Sequence, residues 1–360
     1  MSTIDNSDSV YDFKQGNAST QASTSSNKKL FISLGIVGGI AIVTAIVLMA
    51  VLIPRGRDSS KVTKRAYNPK TETEEPQSIK ILAGNENSRR IRNLQGNDKI
   101  QILGDNFNEL DSSNAVIYID GKNISFDKYI SIDSNTPVNI EIQFFKNLTT
   151  FNGMFKGCID IKNVTFKNVK TNIISDTSSM FEGCASLSDI KFDNTNISDI
   201  TNTSKMFKDC SSLNTIEIED FSTDKVKDMS QMFDGCSNFN NTTFIEELST
   251  DSVENMNEMF SGCSNIKSLD LSGYDTSNVK DMSGMFKGMS SLEILEISSF
   301  NTKKVEYMNE MFESCSSIEF LNLSNFNTEK VIDMNRMFSD CSQLGYLDIS
   351  SFSIDNNKIS

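Results

Sequence analysis

Met-Phe recurs eight times in this chain, at Met154, Met180, Met206, Met232, Met259, Met285, Met311 and Met337. The steps are 26 residues, with a single step of 27 between Met232 and Met259. A near-fixed period of this length means one supersecondary unit stacked on copies of itself, a solenoid. Such a unit cannot bury its apolar face alone and does so against its neighbours. The period therefore sets the architecture of residues 151–360. It also makes binding the first functional class to weigh.

The copy from Ser291 to Cys315 carries two periods. Leu295 and Ile297 alternate with Glu296, which predicts a strand with its apolar side inward. Val305, Met308, Met311, Phe312 and Cys315 fall at i, i+3, i+6, i+7 and i+10, which predicts one stripe of a helix of about three turns. The expected fold class is α/β, a leucine-rich-repeat-like solenoid of about eight 26-residue strand–helix repeats. Strands stack about 4.8 Å apart and helices about 8–10 Å apart, so the parallel sheet is expected on the concave side. Thr223, Thr250, Thr276, Thr302 and Thr328 form a turn column expected to cap the helix N-termini, each contributing about 1 kcal/mol.

The chain ahead of the repeats divides by composition. Residues 1–29 are Ser-, Thr- and Asn-rich and read as a disordered tail. Residues 30–53, from Leu30 to Ile53, hold no charge. At 1.5 Å per residue they are long enough to cross a hydrocarbon core of about 30 Å, which predicts one transmembrane helix. Residues 54–78 read as a linker. Residues 79–150 hold short β-type runs such as 79–82, 116–119 and 138–142, and read as a small β-rich cap over the first repeat. Basic residues flank the span on both sides. The positive-inside bias would place the repeats in the cytosol.

Charge narrows the partners. Residues 1–150 hold 17 Lys/Arg against 16 Asp/Glu, and the remainder holds 17 against 32. An acidic array repels phosphate backbones, so nucleic acid is not expected as a partner. The chain has no His, which removes the usual general base and the commonest metal ligand. No phosphate loop or nucleophile elbow is present, and neither an enzyme nor a cofactor is expected.

Seven Cys follow Met-Phe at a fixed offset: Cys158, Cys184, Cys210, Cys236, Cys263, Cys315 and Cys341. Met289 fills the same slot in the sixth copy, so the slot is apolar. Disulfides need Cα atoms within about 7 Å, closer than packed helices approach. Buried free thiols are expected, with disulfides and a metal as the alternatives. The helical spacing of the Met columns reads as core packing.

The runs Leu292–Leu295–Ile297 and Ile318–Leu321–Leu323 resemble leucine-rich repeats. The usual Asn that follows is replaced by an aromatic, as at Tyr274, Phe300 and Phe326. With Met-Met-Phe, Cys and Ser-Leu at fixed offsets, the unit resembles the BspA-type leucine-rich repeat over residues 151–354. That resemblance implies a surface-exposed protein, linked in some members to adhesion, with no catalytic residues. It favours the repeats lying outside the cell, against the flanking charges. The expected function is a membrane-anchored surface protein whose repeats bind a protein or a glycan. The outward strand positions Asp270, Glu296, Asn322 and Asp348 are the candidate binding face. The alternative is a self-associating structural or coat protein.

Overall fold

The structure is a computed structural model that describes residues 76–84, 99–132, 136–170, 174–195, 197–218 and 221–353. Contacts divide the chain into Met1–Pro69 and Lys70–Ser360, and every described residue lies in the second unit. The expected tail and the expected span at 30–53 lie outside the described residues, as does the linker up to residue 75. Among the described residues no helix is long and apolar enough to cross a membrane. The expectations of a transmembrane helix, a single-pass membrane location and membrane contact through residues 30–53 are corrected accordingly and go no further.

The first six strands precede the coils. They are β1 (Gln77–Ala83), β2 (Lys99–Gln101), β3 (Ala115–Ile119), β4 (Lys122–Ile124), β5 (Tyr129–Ser131) and β6 (Val138–Phe144). Strands β7 (Ile161–Lys167), β8 (Asp189–Asp193) and β9 (Thr215–Ile218) come from successive coils. One sheet runs β4-β3-β6-β1-β7-β8-β9. Strand β1 is antiparallel to both neighbours, whereas β7, β8 and β9 run parallel. Alternation puts Ile79, Ile81, Ile140, Ile142, Val164 and Phe166 into the core. Strands β2 and β5 pair separately. Close docking on the first coil is possible because residue 104 is Gly. Its N–H donates to the Met154 carbonyl (2.7 Å), and a Cβ there would sit 2.1 Å from the Gly153 oxygen.

The repeat is not a strand–helix unit. The expected helix is replaced by a chain of turns, and the fold is a β-solenoid of about seven turns. Residues Asp176, Asn202, Asp228, Asn255, Asp281, Tyr307 and Asp333 bridge in parallel down its length. Between Met308 and Cys315 the backbone N–H groups alternate in destination. Those of Met308, Glu310, Phe312 and Ser314 donate to Asp333, Asn335, Met337 and Ser339 of the next coil, at 2.7–2.9 Å. Those of Met311, Glu313 and Cys315 fold back three residues, to Met308, Glu310 and Phe312. A helix would keep every bond within its own segment. Here half of them stitch coil to coil.

The turns also need residues with positive φ. The residue before each Met-Phe and the residue three after each of these Met occupy the left-handed region in all eight copies. Examples are Gly284 (φ 60) with Gly288 (φ 69) and Glu310 (φ 59) with Ser314 (φ 61). A type II turn asks for this at its third residue. The apolar stripe is nonetheless buried: Val305, Met308, Met311, Phe312 and Cys315 are all fully enclosed. Phe155, Phe181, Phe207, Phe233, Phe260, Phe286, Phe312 and Phe338 form one stack, with centroids 5.4–6.1 Å apart.

Two further expectations change with the turns. The Thr column does not cap helices. Its hydroxyls link coils, as where Thr276 donates to the Asn301 carbonyl (3.2 Å) and accepts from the Asn301 N–H (2.7 Å). The predicted concave side loses its basis as well, because both walls now advance by the same hydrogen-bonded step. The seven Cys are free thiols, and all but the half-buried Cys341 are fully buried.

The 27-residue step holds the sole helix among the described residues, α1 (Thr242–Glu246). Its Ile245 carbonyl accepts from the buried Tyr274 hydroxyl (2.9 Å), which gives a reason for Tyr where the next three copies carry Phe300, Phe326 and Phe352. Beyond it β10 (Ser268–Asp270) pairs with β11 (Ile294–Glu296), and β12 (Phe320–Asn322) with β13 (Tyr346–Asp348), both parallel.

Candidate partner-docking face

The last four strands are three residues long, and their middle residues Leu269, Leu295, Leu321 and Leu347 point inward. The flanking positions therefore face out. Their third residues are the four sequence-predicted ones, Asp270, Glu296, Asn322 and Asp348. Register places Asp270 beside Glu296 and Asn322 beside Asp348. The first three are exposed and Asp348 is half-buried.

All four make the same local contact. A side-chain oxygen of Asp270, Glu296, Asn322 or Asp348 accepts the backbone N–H two residues on, from Ser272, Ser298, Ser324 or Ser350, at 2.9–3.0 Å. This is the turn-closing bond typical of Asx residues, so each side chain shapes the strand exit as well as facing solvent. Hydrogen bonds from Ser272, hydroxyl first and then N–H, hold the Asp270 carboxyl below its ordinary value. Ser350 does the same for Asp348.

The first residues of these strands were missed in the sequence. Ile294, Phe320 and Tyr346 stand 63%, 59% and 49% exposed, which marks them off from the Phe stack, buried from Phe155 to Phe312 and half-buried at Phe338. Phe320 and Tyr346 stack face to face with centroids 4.5 Å apart and planes within 5°. The signal was available: three large apolar residues recur at 26-residue steps, each next to an inward Leu. Acidic groups border the column, with Glu293, Glu296 and Glu319 exposed on the same strands or at their entries. Lys267 offsets Glu293 at 3.9 Å, a contact between exposed groups with little energetic weight. An apolar strip with an acidic margin can take up apolar and cationic side chains of another chain.

Residues 149–269, 204–319 and 254–359 each match the family described as "Mycoplasma protein of unknown function, DUF285". Together these stretches span more than half of the 360-residue chain. The chain belongs to this family. The DUF285 match covers the coils and the docking face, and leaves strands β1 to β6 outside it. Among solved structures, a leucine rich cell surface protein from Faecalibacterium prausnitzii A2-165 is similar at 13% identity. The alignment covers 59% of this chain and 84% of that one, with a TM-score of 0.19. A likeness at that level carries no argument. No curated protein matches the chain.

Proposed function

We propose that this DUF285 chain is a non-catalytic surface recognition scaffold that binds a protein partner on its last four strands. One observation carries the binding role: Ile294, Phe320 and Tyr346, at 26-residue steps, form a column of large apolar side chains exposed on the strand face. Exposed apolar patches rimmed by polar residues are characteristic of interaction sites. Fully burying such side chains contributes roughly 1.5–3 kcal/mol each. Asp270, Glu296 and Asp348 then select partners with cationic groups beside the apolar ones. Surface location rests on the BspA-type resemblance of the repeat unit alone.

The test uses the full chain against immobilised peptides graded in net charge and apolar content. Retention on basic, apolar peptides, weakened by salt and lost in a Phe320→Asp/Tyr346→Asp double variant, supports the reading. Equal retention of the variant, or a preference for acidic peptides, would reject it. Concentration-dependent sedimentation of the free chain that disappears in the same variant would instead favour the self-associating array.

A further inference from the structure

A second surface feature lies far from this column in sequence, on the polar face of the seven-stranded sheet. A cleft of about 400 Å³ opens over β3, β6, β1 and β7. Register aligns Tyr118, Glu141, Lys80 and Thr165 in one row across these four adjacent strands. At a strand spacing of about 4.8 Å the row is on the order of 14 Å long. A second row sets Asn139, Leu82 and Asn163 beside it.

The size suits a small ligand, whose sites span about 300–1,000 Å³. The lining does not suit an apolar one. Tyr118, Lys80 and Thr165 bring polar tips that no other described side chain engages, and Asn139, Asn163 and Glu141 add amide and carboxylate groups. Asn163 is already oriented by Asp189, to which its amide donates at 2.9 Å. The Asn139 backbone N–H donates to the Asp120 carboxylate at 3.1 Å. Among the lining residues Lys80 is the sole cation and Glu141 the sole anion, so the cleft has no net charge to hold a phosphate or a carboxylate. An extended peptide would seek a sheet edge, where free N–H and C=O groups lie, and this is a face. The half-buried Tyr118 ring and Leu82 supply apolar surface between the hydrogen-bonding groups. A ligand that combines apolar C–H faces with a dense set of hydroxyls matches that alternation.

We infer that this cleft binds a neutral oligosaccharide, with Tyr118 as the stacking surface and Lys80, Asn139, Glu141, Asn163 and Thr165 as hydrogen-bonding groups. The site is independent of the Phe320–Tyr346 column, and neither proposal depends on the other.

The experiment is calorimetric titration of the full chain with maltotriose and with chitotriose, and with triglycine as a control. At least one trisaccharide binds, triglycine does not, and Tyr118→Ala weakens binding by about tenfold or more. Thr165→Val, nearly unchanged in volume, weakens it as well while keeping the wild-type melting temperature. That variant protects the test if Tyr118→Ala fails to fold. The Phe320→Asp/Tyr346→Asp variant binds the sugar as wild type does. No heat with either trisaccharide at about 10 mM, weaker than any useful recognition, overturns the inference. Sugar binding unchanged in Thr165→Val and Tyr118→Ala, or binding of triglycine as tight, overturns it too.

Discussion

The Cys184 thiol donates to the Phe155 carbonyl of the preceding coil at 3.0 Å. The same bond joins Cys210 to Phe181, Cys236 to Phe207, Cys263 to Phe233, Cys315 to Phe286 and Cys341 to Phe312, at 3.0–3.2 Å. Each acceptor carbonyl also takes the N–H three residues on, as Phe155 takes that of Cys158. The recurring Cys is thus a small apolar filler with one donor, aimed at a carbonyl with a lone pair to spare.

Burial pushes these thiols up, Cys315 to about 12 and Cys184, Cys210 and Cys236 well above the ordinary value. A thiol held protonated and enclosed does not react. A chromogenic disulfide reagent at neutral pH should therefore titrate the half-buried Cys341 in the native protein, and all seven Cys after denaturation. Rapid native reaction of a second thiol would contradict the buried ladder.

Lys205 holds a positive φ of 58 in a column that Gly occupies at 153 and 284. A Cβ in the left-handed region costs about 1–2 kcal/mol, partly offset by the entropy Gly adds to the unfolded chain. Lys205→Gly should raise the unfolding free energy by up to about 1 kcal/mol. Gly235→Ala should lower it by about 1–2 kcal/mol: φ there is +75 and the added Cβ would meet Asp209 Oδ1 at 2.6 Å. Urea denaturation of both variants reads the two signs.

Phe312 and Phe320 have opposite roles. Phe312 is fully buried between Phe286 and Phe338, and Phe312→Ala should cost about 3–5 kcal/mol. Phe320→Ser, at an exposed site, should change stability by about 0.5 kcal/mol or less while removing partner retention. Comparable losses in the two variants would place Phe320 in the core.

Acid should destabilise the solenoid through its lowered carboxyls. Asp270 and Asp348 are lowered by Ser272 and Ser350, and Glu310 by Lys287, first through its hydrogen bond. A depressed folded value means stability present above the unfolded value of about 4 and lost as pH falls through the folded one. On the alkaline side Lys287 and Lys280 are raised by their Glu310 and Glu254 partners. Their contribution is complete below an unfolded value of about 10.4 and is lost as pH rises through the folded one. Melting temperature should stay level from about pH 5 to about pH 7.5 and fall at both ends, the alkaline fall beginning with the buried thiols, whose unfolded value is about 8.5. Asp270→Ala should shrink the acid-side fall.

The coil period, the buried columns and the free thiols were legible in the sequence because burial imposes composition at every copy. The turn wall was legible in part. Gly157, Gly183, Gly235, Gly262 and Gly288 recur three residues after Met, inside what read as a helix, where each would cost about 1 kcal/mol. That recurrence was the available evidence for left-handed turns. Of the four strand-face residues, Asp270, Glu296 and Asn322 are exposed and Asp348 is half-buried. Their turn-closing bonds to Ser272, Ser298, Ser324 and Ser350 were not foreseen, and neither was the aromatic pair beside them.

Sequence by itself determined the buried columns that recur in every copy of this protein. Val305, Met308, Met311, Phe312 and Cys315 are buried whether the backbone is a helix or a run of turns, so their spacing could not choose between the two. Only the tertiary structure decided where the backbone hydrogen bonds go. The next coil offers the carbonyls of Asp333, Asn335, Met337 and Ser339 at bonding distance, and the alternating N–H groups take them. The same contact between coils turned Phe320 and Tyr346 outward as a stacked pair, by giving the inward place on each strand to Leu321 and Leu347.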